Sequence, residues 1–153
     1  MISRPSSRHR GAAAVEMAVI LPVMMLLLAF PLLFGRVFWH YATIQSAAHD
    51  AATYLARVPI AEMTSQVRVA RAADLAHDIA AAETAELAPG DDSLVSISVL
   101  CDGETCDYGV PVNISVAVRA RMYDPFFGDF TWAGFGDDGL SLRAKVSVRY
   151  VGQ

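Results

Sequence analysis

The chain has 153 residues, a mass of 16.5 kDa and a formal charge of −4, a length that fits one modest domain and excludes a multidomain enzyme. Hydrophobic residues make up 54% and charged residues 18%, against about 45–50% and about 25% in ordinary soluble domains. The bias argues for a membrane segment and against disorder, and the missing basic excess argues against a general nucleic-acid binder.

Residues 1–10, MISRPSSRHR, are polar and basic, with Arg4, Arg8 and Arg10 and no acid. From Gly11 to Gly35 runs GAAAVEMAVILPVMMLLLAFPLLFG, whose one charge is Glu16. As helix at 1.5 Å per residue, this segment reaches roughly 37 Å, enough for a hydrocarbon core of about 30 Å. Phe34, Phe38, Trp39 and Tyr41 follow where an interfacial aromatic belt belongs. The basic flank precedes the span, so the positive-inside rule puts the N-terminus in the cytoplasm and the remaining chain outside. A secretory signal peptide would need a shorter apolar core of about 7–15 residues with small residues at its end. Here the run is longer and ends in Leu33 and Phe34, which predicts a retained anchor. Pro22 and Pro31 interrupt the span, and each can kink a helix by removing an N–H.

Glu16 is the informative residue. A carboxylate inside a membrane costs about 2.5–3.5 kcal/mol or more, which makes it a functional candidate by default. The plain alternative is a lone Glu snorkelling to the headgroups. A short basic leader, Gly11, then an apolar helix with Glu at the fifth following position resembles the type IV prepilin pattern. The resemblance implies cleavage between Gly11 and Ala12 by a prepilin peptidase. Glu16 would then lie one helical turn below the new amine, its own or a neighbour's, and near the positive end of the helix dipole.

The pieces Arg10-Gly11, Val15-Glu16-Met17-Ala18, Leu21-Pro22, Gly35-Arg36 and the Ala-rich run Gln45 to Arg57 narrow the resemblance. Over roughly the first 58 residues the chain resembles the TadE-like family, minor pseudopilins of the Tad (tight adherence, Flp-type) pilus systems. That resemblance implies a non-catalytic subunit acting in assembly or tip formation of a Flp-type pilus or a related secretion machine. It implies a single-pass protein of the bacterial inner membrane, with Glu16 aligning adjacent subunits. The implied partners are the prepilin peptidase, other pilus subunits or pseudopilins, the inner-membrane assembly platform and membrane lipid, with no nucleic acid and no cofactor. The rival reading is an anchored extracytoplasmic binding or sensor protein, never processed, in which Glu16 is incidental.

Beyond the span, Ile44, Ala47, Ala48, Ala51, Leu55 and Val58 recur at helical spacing and predict one apolar stripe, with Gln45, His49 and Asp50 off it. Pro59 ends this helix or starts the next. Residues 60–88 read as a second helix, with Val69, Ala72, Ala76 and Ile79 inward, and Pro89-Gly90-Asp91-Asp92 as a turn. From Glu62 to Asp92 seven acids stand against Arg68 and Arg71. The period then changes to two. Val95, Ile97 and Val99 alternate with Ser96 and Ser98, and every even position is apolar in 110–122 and again in 140–150. Such alternation predicts half-buried strands. The wet faces of the last two carry Arg119, Arg121, Arg143, Lys145 and Arg149. The expected fold class is α+β: a long N-terminal transmembrane helix continuing outside the membrane, a second helix and a small antiparallel sheet, as in pilins. The expected division is a leader at 1–11, a membrane helix at 12–35 and an extracytoplasmic head at 36–153.

Cys101 and Cys106 flank Asp-Gly-Glu-Thr between the first two strands. Outside the cytoplasm such a pair is most simply a loop-pinning disulfide, since two Cys without neighbouring His are too few ligands for a structural zinc. The loop Asp124 to Gly139 holds Phe126, Phe127, Phe130, Trp132 and Phe135. It reads either as a cap on the sheet end or as a contact surface for another pilus component or the membrane. Asp91-Asp92 and Asp137-Asp138 lack EF-hand spacing and read as solvated turns. No metal site is expected. No G-x-S-x-G, H-E-x-x-H or G-x-x-x-x-G-K motif occurs, and His40, His49 and His77 are dispersed. His40 and Trp39 are expected near the membrane interface.

Overall fold

The computed structural model of the protein describes residues 9–87, 95–107, 109–122 and 140–152, with side chains from Ala13 onward. The expected turn at Pro89–Asp92 and the aromatic loop at 124–139, with Phe126, Phe127, Phe130, Trp132 and Phe135, lie outside the described residues. In chain order the elements are α1 (His9–Ala56), α2 (Ile60–Met63), α3 (Gln66–Thr84), a 3₁₀ turn (Ala85–Leu87), β1 (Val95–Cys101), β2 (Glu104–Thr105), β3 (Asn113–Met122) and β4 (Leu140–Arg149). The fold is α+β, with a long apolar N-terminal helix, further helices and a four-stranded antiparallel sheet of order β2-β1-β3-β4. Contacts divide the chain into two units, Met1–Val37 and Phe38–Gln153.

In the first unit the described residues all belong to α1, which continues through Pro22 and Pro31. Neither ring breaks the helix, although each leaves a carbonyl one turn back, at Ala18 and Leu27, without its usual N–H donor.

The second unit holds the core. Ile44, Ala47, Ala48, Ala51 and Leu55 of α1 are fully buried, and Val58 nearly so, while Gln45, His49 and Asp50 are exposed. The period-3.6 stripe is thus the packed face. It forms one cluster with Met63, with Val69, Ala72, Ala76 and Ala80 of α3, and with Ile114, Val116, Val118 and Ala120 of β3. Each large side chain buried there contributes about 1.5–3 kcal/mol of apolar transfer.

The expected single helix over 60–88 is divided. α2 closes at Thr64, whose N–H donates to the Ile60 carbonyl at 3.1 Å. Ser65 is extended, with φ −123° and ψ 119°. Its carbonyl then accepts from the N–H groups of Arg68 and Val69, both at 2.9 Å, to start α3. Two adjacent hydroxyl residues favour such a break because their side chains compete for backbone groups, and the Thr64 hydroxyl donates to the Ala61 carbonyl at 3.1 Å. On α3 the inner face is Val69, Ala72, Ala76 and Ala80; Ile79, expected inward, is half-buried.

The strands follow the period of two with two corrections. Val110 and Val112, expected in the strand, are 48% and 59% exposed and precede β3. Pro111 between them has no N–H for a ladder, and the N–H of Val112 donates to the Asp102 carboxylate at 2.9 Å instead. β3 is also the central long strand, so its small outer residues Ser115 and Ala117 are buried along with the inner set.

The C-terminal end of β4 is tied to the helices. The Tyr150 N–H donates to the Val112 carbonyl at 3.0 Å, and the Val151 N–H to the Ala56 carbonyl at 3.1 Å. The Tyr150 hydroxyl donates to the Val58 carbonyl at 2.6 Å. Gly152 sits against that bond, since a Cβ there would fall on the Tyr150 hydroxyl and the Val58 carbonyl oxygen. Burial raises the phenol above its ordinary value of 10.0. The neutral phenol therefore stabilises the fold fully below that ordinary value, and the contribution is lost as pH rises through the higher folded-state value. Tyr150→Phe is expected to cost about 1 kcal/mol, the net worth of one hydrogen bond. Thermal melts across alkaline pH check this: the variant should lose the steep alkaline limb assigned to Tyr150.

Candidate functional site

The chemistry-bearing residues fall in the two units separately. In the first, the Gly11–Ala12 junction lies within α1, two residues from its His9 start. Glu16 is exposed, as are Val15 (67%), Met17 (65%) and Val19 (63%) around it. The first turn of α1 contains no acid, so Glu16 stands two turns in and gains little from the helix dipole, which acts within the first turn. Only a new N-terminus at Ala12 would bring it there. The 18-residue windows of α1 reach a mean hydropathy of 2.6 with none of the window buried. This is one helix long and apolar enough to cross a membrane.

In the second unit, Cys101 and Cys106 are joined by a disulfide with Cα atoms 4.8 Å apart. The bridge spans a two-residue hairpin turn. Asp102 (φ 53°) and Gly103 (φ 93°) both take positive φ, the Asp-Gly turn that suits a tight hairpin. This turn creates the short strand β2 that periodicity did not indicate, pairing Cys101 with Glu104. Asp102 does more than turn the chain. Its carboxylate accepts from the N–H groups of Val112 and Asn113, at 2.9 and 2.8 Å, and its own N–H donates to the Asn113 carbonyl at 2.8 Å. The hairpin is thereby clamped to the start of β3. An Asp-Gly pair in the sequence announces the turn; the clamp depends on where β3 begins.

Three further features escaped sequence reasoning. His40 is 3% exposed, buried in the head and edge-on to Trp39 with ring centroids 5.2 Å apart, a burial that its sequence neighbours did not indicate. Asp50 of α1 faces Glu83 of α3 across 33 residues of sequence. Burial first, then the Asp50 charge and a shared hydrogen bond, raise Glu83 above the ordinary carboxylate value of 4.5. Tyr150 closes the C-terminal end, as described. A shallow depression of about 490 Å³ beside Asp50 is lined by Tyr54, Arg57 and Glu62. Among the described residues no group of three His, Cys, Asp or Glu is placed to hold a metal ion.

Comparison with known proteins identifies the N-terminal segment. A family model described as TadE-like protein matches residues 11–53. The match takes in Gly11, Glu16, the whole apolar span and the first part of the buried alanine stripe. The family is one of pilus components and its role is in the Tad pilus system. No curated protein matches this chain, and no solved structure does.

The Asp50–Glu83 contact carries a pH dependence. Because Glu83 is raised in the folded protein, its protonated form stabilises the fold below the unfolded carboxylate value, and that contribution is lost as pH rises through the folded value. Glu83→Gln is expected to raise Tm at neutral pH, where the two carboxylates repel, and to leave it unchanged in acid. Thermal melts of both proteins from acid to neutral pH check the crossover.

Proposed function

We propose that this chain, TadE-like over residues 11–53, is a minor pseudopilin taking part in assembly or tip formation of a Flp-type pilus or a related secretion machine. The single observation that carries the reading is that the family match begins at Gly11 and encloses Glu16 and the unburied apolar helix. Residues 1–11 act as a leader, cut by a prepilin peptidase between Gly11 and Ala12. Their removal takes three Arg and leaves nine Lys and Arg against 16 acids, a formal charge of −7. The mature subunit stays in the inner membrane by residues 12–35, with the head outside the cytoplasm.

The physical logic lies in one charge. Between Ala12 and Gly35 every side chain but Glu16 is apolar or small, so lipid and neighbouring helices are equally good surroundings for the rest of the segment. A lone carboxylate in that environment costs energy until an amine or other donor meets it. The α-amine freed at Ala12, on the same or an adjacent subunit, is such a donor. Helices packed side by side would therefore be held in the register that brings Glu16 to an amine. The exposed apolar residues, Val15 to Phe34, then contact lipid before assembly and helices after it. The head makes contacts with other subunits and with the assembly platform, and the work is structural.

Intact-mass measurement of the protein from cells with and without the peptidase tests the processing step. The expected N-terminus is Ala12 with the peptidase and an intact Gly11–Ala12 junction without it; an intact junction in both overturns the proposal. Glu16→Ala is expected to insert into the membrane normally yet lose co-purification with other pilus subunits. Undiminished co-purification would instead favour an anchored, unassembled protein.

A further inference from the structure

The outer face of the sheet carries a charge pattern that nothing within the described head neutralises. Arg119 and Arg121 of β3 and Arg143, Lys145 and Arg149 of β4 are all exposed. The strands β1, β3 and β4 contain no acid. Register sets Arg119 directly opposite Arg143 and also beside Ser96 of β1. Like charges directly opposite each other destabilise a sheet. Among the described residues none of the five cations has a carboxylate within ion-pair distance. Around the Arg119–Arg143 pair the surface forms a depression of about 540 Å³, lined also by Arg121, Ser96 and Ser141. Two guanidinium groups, a third beside them and two hydroxyls make a surface suited to carboxylates.

The opposite charge lies on the helical layer of the same head. After Arg71, α3 and the following 3₁₀ turn carry Asp74, Asp78, Glu83 and Glu86 and no Lys or Arg. Asp74 and Asp78 are exposed, on the side away from buried Ala72, Ala76 and Ala80. Asp50 of α1 adds a further carboxylate to this layer, beside Glu83.

The two patterns match in pitch. Residues i and i+4 on a helix place their Cβ atoms about 5–6 Å apart. Residues i and i+2 on a strand stand about 6.6–6.8 Å apart. Asp74 and Asp78 can thus meet Arg119 and Arg121, or Arg143 and Lys145, with the helix laid along a strand. The same molecule cannot make this contact. α3 packs by its inner residues in the core beneath the sheet, with Val95, Ile97, Val116 and Val118 between it and the outer face. The acids and the cations look away from each other across the sheet.

We propose that the outer face of the sheet docks the acidic outer flank of α3, at Asp74 and Asp78, from a second copy of this chain. The interface joins two different patches, so each copy offers one free patch of each sign and the contact repeats head to tail. It is independent of Glu16 and of leader cleavage. Because its pairs lie at the surface, it weakens as salt screens them.

Charge reversal in the full-length chain, held in detergent micelles and followed by sedimentation velocity, tests the contact. The wild type is expected to self-associate at low salt and to dissociate as salt is raised. The sheet variant R119E/R143E and the helix variant D74K/D78K should each lose that salt-sensitive association, with folding verified by circular dichroism. An equimolar mixture of the two should recover it, because each variant now supplies the sign that the other lacks. Association that survives D74K/D78K, or a mixture that stays dissociated, overturns the proposal. So does a salt-insensitive association unaffected by either variant, which would belong to the apolar helices. Capture by vesicles of anionic phospholipid that is lost in R119E/R143E, with no self-association of the wild type, would assign the face to lipid instead and likewise overturn it. Glu16→Ala is expected to leave the salt-sensitive association intact, so failure of the pilus-assembly reading and failure of this contact are read separately.

Discussion

A helix buries whichever stripe meets an apolar neighbour, and α1 meets two kinds. From Ala13 to Phe34 it exposes apolar side chains nearly all round. From Ile44 to Ala56 it buries a narrow stripe made almost wholly of alanine, with Ile44 and Leu55 as the larger members. The change from all-round to one-sided hydrophobicity within one continuous helix is what the rest of the structure depends on. All-round apolar surface belongs in lipid or among other helices; a one-sided stripe belongs on a protein core. The alanines matter because they leave little volume between α1 and its neighbours, so that enlarging any of them would overpack a close-packed interior.

Around that stripe the head is closed by contacts distant in sequence. The Tyr150 hydroxyl reaches back 92 residues to the Val58 carbonyl. The Val151 N–H meets the Ala56 carbonyl. The Val151 bond satisfies the carbonyl of the last residue of α1, where a helix leaves its final acceptors without partners, and the Tyr150 bond that of Val58 two residues beyond it. Beside the Tyr150 N–H, at the start of β3, Asp102 accepts from the N–H groups of Val112 and Asn113. The disulfide holds the hairpin that supplies this carboxylate. Both fastenings, one to helix and one to hairpin, therefore meet at the same end of the long β3–β4 pair, where Asn113 faces Arg149.

Charge is sorted as firmly as hydrophobicity. The helical layer after Arg71 is acidic, the outer sheet face basic, and the apolar helix carries one carboxylate. The overall charge of −4 is an average over these regions and describes none of them. Regional imbalance of this kind lowers the stability of each layer by itself and raises its attraction for a surface of the opposite sign. Among the described residues, Arg119, Arg121, Arg143, Lys145 and Arg149 have no carboxylate within ion-pair distance, whereas Asp78 has His77 at 3.8 Å.

Local pattern was legible wherever one residue's neighbours in sequence set its environment. The apolar span, Glu16 as its single charge, the alanine stripe and the alternation of Ile114 to Met122 all follow from period and composition, because the side chains of helices and strands repeat at 3.6 and 2 residues. The same pattern made the basic face of β3 and β4 visible before any fold was known. Tertiary structure decided what needs a partner from elsewhere. The break at Thr64–Ser65 depends on two hydroxyls winning against helix propensity, and the loss of Val110 and Val112 from β3 depends on Pro111 and on a carboxylate eight residues before that valine pair begins. The burial of His40, the Asp50–Glu83 contact and the meeting of Arg119 with Arg143 depend on which elements pack and in what register. Periodicity states which face a residue is on; only the packed chain states what lies across from it, because registers and interhelix contacts are set by the fit of whole faces.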